Sequence, residues 1–435
     1  MRDAHLTPES LDALLKEDRT AEENQFLLHH LAVCPDCHHV GGYILDLYHA
    51  GSIDLEFSSV DLGLGRSRLE APRLWEELSQ YPAEKQFQLV GTERFKSWGL
   101  CELACDQTVA EASRDTAMAL RFAELAVAIS REIQEWEPAE PGWLGLLRGY
   151  ALAHLANSRR VGGNLSDAAA TFKEADEVWQ PPLKDLGDVL GYETRYLALK
   201  ASLRREQRQF GEALDLLDLA RSTTDDPQLR AKLMLGTAQV LEKLGAFSDA
   251  TETLAEAAAE LQGREPGRLT LCIEHNLLWL LVTSGRFLEA RLRLPGVEVL
   301  SQKFGNSLDQ VRLEWVHAGI AAGLDDLRQA GQLLEKVRRC FEEEGIGLDA
   351  ALASLELAVV RVREGRNEEA LQIAAEIHPV FVANQVSEEA LGVLLLFQQA
   401  LEGDQLTVKL AQQVLSRVRE IISGSVVRTE SSVCE

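Results

Sequence analysis

From about residue 72 the apolar positions of this 435-residue chain recur on the three-to-four-residue spacing that gathers them on one face of an α-helix. A turn pattern interrupts them at nearly regular distances: a glycine, any residue, a mostly apolar residue, two further residues, then an alanine. The copies are Gly163-Asn164-Leu165-Ser166-Asp167-Ala168, Arg208-Gln209-Phe210-Gly211-Glu212-Ala213 and Gly245-Ala246-Phe247-Ser248-Asp249-Ala250. They continue as Gly285-Arg286-Phe287-Leu288-Glu289-Ala290, Asp325-Asp326-Leu327-Arg328-Gln329-Ala330 and Gly365-Arg366-Asn367-Glu368-Glu369-Ala370. The closing alanines fall 45, 37, 40, 40 and 40 residues apart, and a weaker copy ends at Ala119. The pattern predicts helix pairs, for instance 233–244 and 248–261 on either side of Gly245. The glycine ends the first helix in a left-handed cap. The apolar residue plugs the gap between the helices, and the alanine is small because the helices cross closely there. Arg208 and Asp325 stand where the leading glycine is expected.

Self-similarity at such a period is the mark of a repeat array. The segments GRFLEA (285–290) and GAFSDA (245–250) resemble second-helix entries of tetratricopeptide repeats, and the resemblance spans roughly residues 90–400. The first-helix Trp and Tyr positions match less well. A period near 40 also exceeds the usual one of about 34, which implies longer helices or loops. The resemblance implies an α-α superhelical solenoid with a concave groove that takes a peptide or a helix. Trp143, Trp179, Trp279 and Trp315 could line that groove, but their helical spacing favours the core.

The first fifty residues carry a different signal. Six of the ten histidines lie here, His5, His29, His30, His38, His39 and His49, with two of the seven cysteines. Thr20-Ala21-Glu22-Glu23 reads as a capping box that starts a helix. Leu27, His30, Leu31 and Cys34 then share one face, so His30 and Cys34 point the same way one turn apart. Pro35-Asp36 turns the chain, and Cys37 opens the next helix, where the positive helix end favours its thiolate. Zinc takes four nitrogen or sulfur ligands in tetrahedral geometry. His30, Cys34 and Cys37 supply three. His5, just ahead of the helix start at Thr7-Pro8, is chosen as the fourth over His29, His38 and His39. Two thiolates and two neutral imidazoles would balance Zn²⁺. No His-Glu-x-x-His is present, so the site reads as structural rather than catalytic.

The stretch from His5-Leu6-Thr7-Pro8-Glu9 through His30-x3-Cys34-x2-Cys37 resembles the zinc-binding anti-sigma factor domain over residues 3–50. The resemblance implies His5, His30, Cys34 and Cys37 as ligands of one Zn²⁺. It also implies a protein partner, most specifically an extracytoplasmic-function sigma factor occluded by amphipathic helices. Leu11, Leu14, Leu15, Tyr43, Ile44, Leu47 and Tyr48 are candidate contacts. The sequence departs from the family's common plan, which places a membrane helix after the zinc domain. Gly51, Ser52, Ser58, Ser59, Gly63, Gly65 and Ser67 mark a connector over 51–71. In it, Phe57, Val60, Leu62 and Leu64 could grip a partner, although a loose tether is the plainer reading.

Composition narrows the picture. The chain is 46 % hydrophobic and 26 % charged, ordinary for a globular protein. Its net charge of −25 and the lack of a basic stripe speak against nucleic acid and suit a basic protein partner. The longest apolar run, Leu277 to Val282, is far from the roughly 20 residues that span a bilayer. The N-terminal segment lacks an apolar signal core, and the cysteine spacing is not a disulfide framework, so the expected compartment is the cytoplasm.

Other constellations carry less. Cys101-x3-Cys105 reads as two buried small hydrophobes. Glu132, Glu135, Glu137 and Glu140 read as a solvated helix end. Gly162-Gly163 and Gly63-x-Gly65 lack the Lys-Ser/Thr of a phosphate loop. His154, His275, His317 and His378 read as structural. The expectation is therefore an all-α chain: a three-helix zinc head (1–50), a linker (51–71), a tetratricopeptide-like array (72–422) and a tail (423–435). Its function is regulatory binding of a protein, without catalysis. The alternatives are a scaffold in which the head only caps the array, and a thiol redox sensor that releases zinc when Cys34 and Cys37 oxidise.

Overall fold

The computed structural model describes residues 59–112, 114–134, 142–179, 191–383, 388–402 and 408–425. The expected zinc head, with His5, His30, Cys34 and Cys37, lies outside the described residues, as do residues 51–58 and 426–435. All regular structure among the described residues is helical. No helix there is long and apolar enough to cross a membrane. The chain divides into two compact units, at Thr224 and Asp225.

The first unit opens with α1 (Ser59–Ser79) and the short α2 (Ala83–Leu89). Three pairs follow: α3 (Trp98–Glu111) with α4 (Thr116–Glu132), α5 (Trp143–Val161) with α6 (Leu165–Val178), and α7 (Tyr192–Glu206) with α8 (Phe210–Ser222). Their starts are capped where the sequence offers a short polar side chain. Ser97, Asp115 and Asn164 accept backbone N–H groups of α3, α4 and α6. The first helices α3, α5 and α7 lie side by side, each also packed on its own second helix. Between them α5 is enclosed, with Leu146, Leu147 and the whole stretch Gly149–Ser158 buried.

The connector expected over 51–71 is corrected by α1. Ser59 to Ser79 forms one helix that packs along α3. Leu64, Ala71, Leu74 and Leu78 fall on one face and are buried. Gly63, Gly65 and Ser67 weaken the helix locally, but burying that apolar face outweighs a cost of about 1 kcal/mol per glycine. Leu64, named as one residue that could grip a partner from a loose tether, is a core residue. Gly99 of α3 permits the approach: a Cβ there would stand 2.3 Å from the backbone oxygen of Ser67.

The second unit continues the pairing: α9 (Pro227–Lys243) with α10 (Phe247–Glu260), α11 (Arg268–Thr283) with α12 (Phe287–Phe304), and α13 (Ser307–Gly323) with α14 (Leu327–Glu343). Then come α15 (Gly347–Arg363), α16 (Asn367–Ala383), α17 (Glu388–Glu402) and α18 (Val408–Ser425). Here α18, rather than α17, packs along α15, so Ala350 to Val362 is buried on every side.

The turns bear out the sequence pattern. The N–H groups of Asn164, Gln209, Ala246, Arg286, Asp326, Ile346 and Arg366 each bond the carbonyl five residues earlier at 2.8–2.9 Å, the bond that closes a Schellman cap. Gly163, Gly245, Gly285 and Gly365 are left-handed, and so are Arg208 (φ 61°) and Asp325 (φ 67°) in the glycine positions. Ala168, Ala213, Ala250, Ala290, Ala330 and Ala370 are all 0 % exposed. The plug is visible at Phe287, whose ring lies where a Cβ on Gly323 would have to go. A further turn of the same kind, at Gly345 (φ 73°), joins α14 to α15. Its signal in the sequence was Gly345 five residues before Ala350.

Candidate functional site

Within the first unit the first helices α3, α5 and α7 form a layer. That layer holds a connected polar network. Trp98 opens α3 and Glu102 lies one turn on, so both share a face. The Trp98 indole Nε1–H donates to the Tyr192 hydroxyl at 2.8 Å, and that hydroxyl donates to Glu102 Oε1. Arg68 of α1 closes the other side, with Nε and Nη2 each 2.7 Å from one Glu102 oxygen. Tyr150 of α5 stacks on Tyr192 at 4.2 Å, and its hydroxyl accepts from Arg195 at 3.2 Å. Arg195 in turn approaches Asp106 at 3.8 Å.

The network is locked in one protonation state. Burial pushes the Glu102 carboxyl up, but the Arg68 charge and the hydrogen bonds from Arg68, Tyr192 and Trp98 outweigh it and hold the group below the usual carboxylate range. Burial, and then the Glu102 charge, push Tyr192 well above an ordinary phenol, and burial raises Tyr150. At neutral pH the set is therefore one guanidinium, one carboxylate and neutral phenols. Such a set orients helices rather than trading protons.

Indole–carboxylate pairs recur in the second unit. Trp279 of α11 donates to Glu242 of α9 at 2.9 Å, and Trp315 of α13 donates to Glu356 of α15 at 2.8 Å. Each thus ties one first helix to the next. Arg361 is buried among Glu335, Glu364 and Glu369, and Arg363 donates to the Ala322 carbonyl at 2.7 Å and to Asp325 at 2.9 Å. The four tryptophans picked from the sequence pack with the core. Trp143 lies 6.2 Å from Trp98, Trp179 stacks on Tyr196 at 4.3 Å, Trp315 meets Phe341 edge-on, and Trp279 packs against the second unit's core.

The remaining candidates separate in the same way. Cys101 and Cys105 are fully buried; burial and then the Cys101 neighbour push the Cys105 thiol well up, so it stays protonated. His154 is buried edge-on to Tyr150 at 4.6 Å. Burial, with the nearby Arg312 charge, pushes His275 down to about 4. His317 sits 3.3 Å from the Gln329 amide. Glu132 ends α4, while Glu135, Glu137 and Glu140 lie outside the described residues. Among the described residues no three His, Cys, Asp or Glu side chains stand together as a metal site. The Arg68–Glu102–Tyr192 network had no signal in the sequence. Its members come from helices up to 124 positions apart, and only the adjacency of Trp98 and Glu102 on one helical face was legible.

Comparison with solved structures agrees with this architecture. A Rap protein complexed with Competence and Sporulation Factor superposes with a TM-score of 0.53 at 13 % identity, covering 77 % of this chain and 89 % of that one. The fold is a tetratricopeptide-like helical repeat. The apo form of RapI superposes with a TM-score of 0.50 at 13 % identity, covering 75 % of this chain and 87 % of its own. No protein-family model matches the chain, and no curated protein matches it in sequence. The expected helical array therefore stands on its geometry and on these structural neighbours.

Proposed function

We propose that this chain is a regulatory binding protein without catalytic activity, and that its helical repeats hold a protein or peptide partner. The observation that carries the reading is the helical-repeat fold itself, whose first helices in the first unit are fixed by a buried network of Arg68, Glu102, Tyr150 and Tyr192, with Arg195 left exposed at its edge. The fold is shared with a Rap protein solved with Competence and Sporulation Factor bound. A scaffold whose helices are held rigid in advance loses less ordering entropy when it takes a partner. A net charge of −25 favours a basic partner.

The finer reading assigns residues 1–50 to a zinc head with His5, His30, Cys34 and Cys37 as ligands. Its support is the His30-x3-Cys34-x2-Cys37 spacing on helix signals in register. The partner of the head is an extracytoplasmic-function sigma factor, covered by the head's amphipathic helices, and the protein acts in the cytoplasm, where such factors work. The support is the family resemblance and the head's surplus of acidic side chains, 9 against 3 basic over residues 1–50.

The test uses the full chain and a chain lacking residues 1–50, each immobilised in lysate of the native host, with captured proteins identified by mass. A sigma factor held by the full chain and lost from the shortened one is the expected result. About one zinc per full chain should be found by elemental analysis, and none after Cys34→Ser. A partner that stays with the shortened chain assigns recognition to the repeats and leaves the head as a cap. A metal-free full chain ends the zinc reading.

A further inference from the structure

Helix α12 is apolar on two opposite faces. Ala290, Leu294 and Val297 point into the second unit and are buried. On the other side Leu288, Leu292, Pro295 and Val299 follow one another at steps of four, three and four residues, which aligns them in a narrow stripe. Leu288 is 60 % exposed, Leu292 82 % and Val299 64 %. Single exposed leucines are ordinary, but an aligned stripe on an outward helix face is a docking pattern.

We propose that this stripe pairs antiparallel with the same stripe of a second copy of this chain. The stripe is symmetric about its midpoint between Leu292 and Pro295. A twofold axis there sets Leu288 against Val299 of the second copy and Leu292 against Pro295 of the second copy. Flanking charges obey the same symmetry. Arg291 and Glu298 lie on one side of the stripe, and antiparallel packing brings like-sided flanks together. Each Arg291 thus meets Glu298 of the second copy, twice per dimer. Arg291 makes no ion pair among the described residues, and the Glu298 side chain is 46 % exposed. On the opposite flank Glu289 meets Gly296 of the second copy, so no like charges face each other. An isologous contact of this kind closes at two copies and does not propagate. Four apolar residues a side bury less than the roughly 800 Å² per partner of a standard interface, so the dimer is weak, with Kd on the order of 100 μM.

Sedimentation of the full chain from about 1 to about 500 μM, a range that brackets such a Kd, reads this directly. The expected result is a reversible monomer–dimer equilibrium. Leu292→Asp should weaken it at least tenfold while circular dichroism is unchanged. Arg291→Glu and Glu298→Arg should each weaken it, and the double exchange should restore it, which a merely structural effect would not do. A monomer across the whole range overturns the proposal, as does a dimer indifferent to Leu292→Asp or a double exchange no better than its singles.

Discussion

Glu102→Gln probes the first unit at the centre of its buried polar network. The substitution keeps the side-chain volume and removes one charge. Glu102 now takes both Arg68 bonds at 2.7 Å and the Tyr192 hydroxyl. A glutamine has one acceptor oxygen, and its amide N–H groups would face guanidinium N–H groups. Arg68 is only 12 % exposed, so its charge would be left in a poorly solvated place. Removing one partner of a buried ion pair costs about 3–5 kcal/mol, and the residual exposure of both groups argues for about 3. Arg68→Met should cost a similar amount by stranding the carboxylate. The double variant buries no unpaired charge and should cost little more than either single, giving a coupling of about 2 kcal/mol or more. Because repeat contacts are local, the loss belongs to the first unit. Hydrogen exchange on the full chain measures it: amides of 98–111 and 192–206 should lose roughly a hundredfold in protection, the factor that about 3 kcal/mol implies. Amides of 347–363 serve as the unchanged control. Single costs below about 1 kcal/mol, or additive ones, would refute the claim that the pair is structurally coupled.

Arg208→Gly should stabilise the first unit by about 1 kcal/mol, since Arg208 sits at φ 61° where only glycine is unstrained; denaturant midpoints read it. Asp325→Gly should gain less, because it also removes the 2.9 Å ion pair with Arg363. Folding holds His275 neutral down to about 4, below its ordinary value of 6.5, so the unfolded chain binds the proton first and stability falls as pH drops from about 6.5 to about 4. The second unit should lose up to about 3 kcal/mol over that window in urea titrations, and His275→Gln should flatten the dependence.

The turns were legible in the sequence because their cause is local. A left-handed cap wants glycine, a close helix crossing wants alanine, and both recur at fixed offsets, as at Gly245 and Ala250. Tertiary structure decided what local signals could not. Gly63, Gly65 and Ser67 read as a connector, yet α1 forms through them because α3 buries its apolar face beside Gly99. Arg208 and Asp325 take a conformation they disfavour alone, held there by the helices on either side. Arg68, Glu102, Tyr150 and Tyr192 meet only when four helices stack, and no spacing along the chain encodes that meeting. A helix period fixes which face a residue occupies; which other face it meets depends on burial summed over the whole unit.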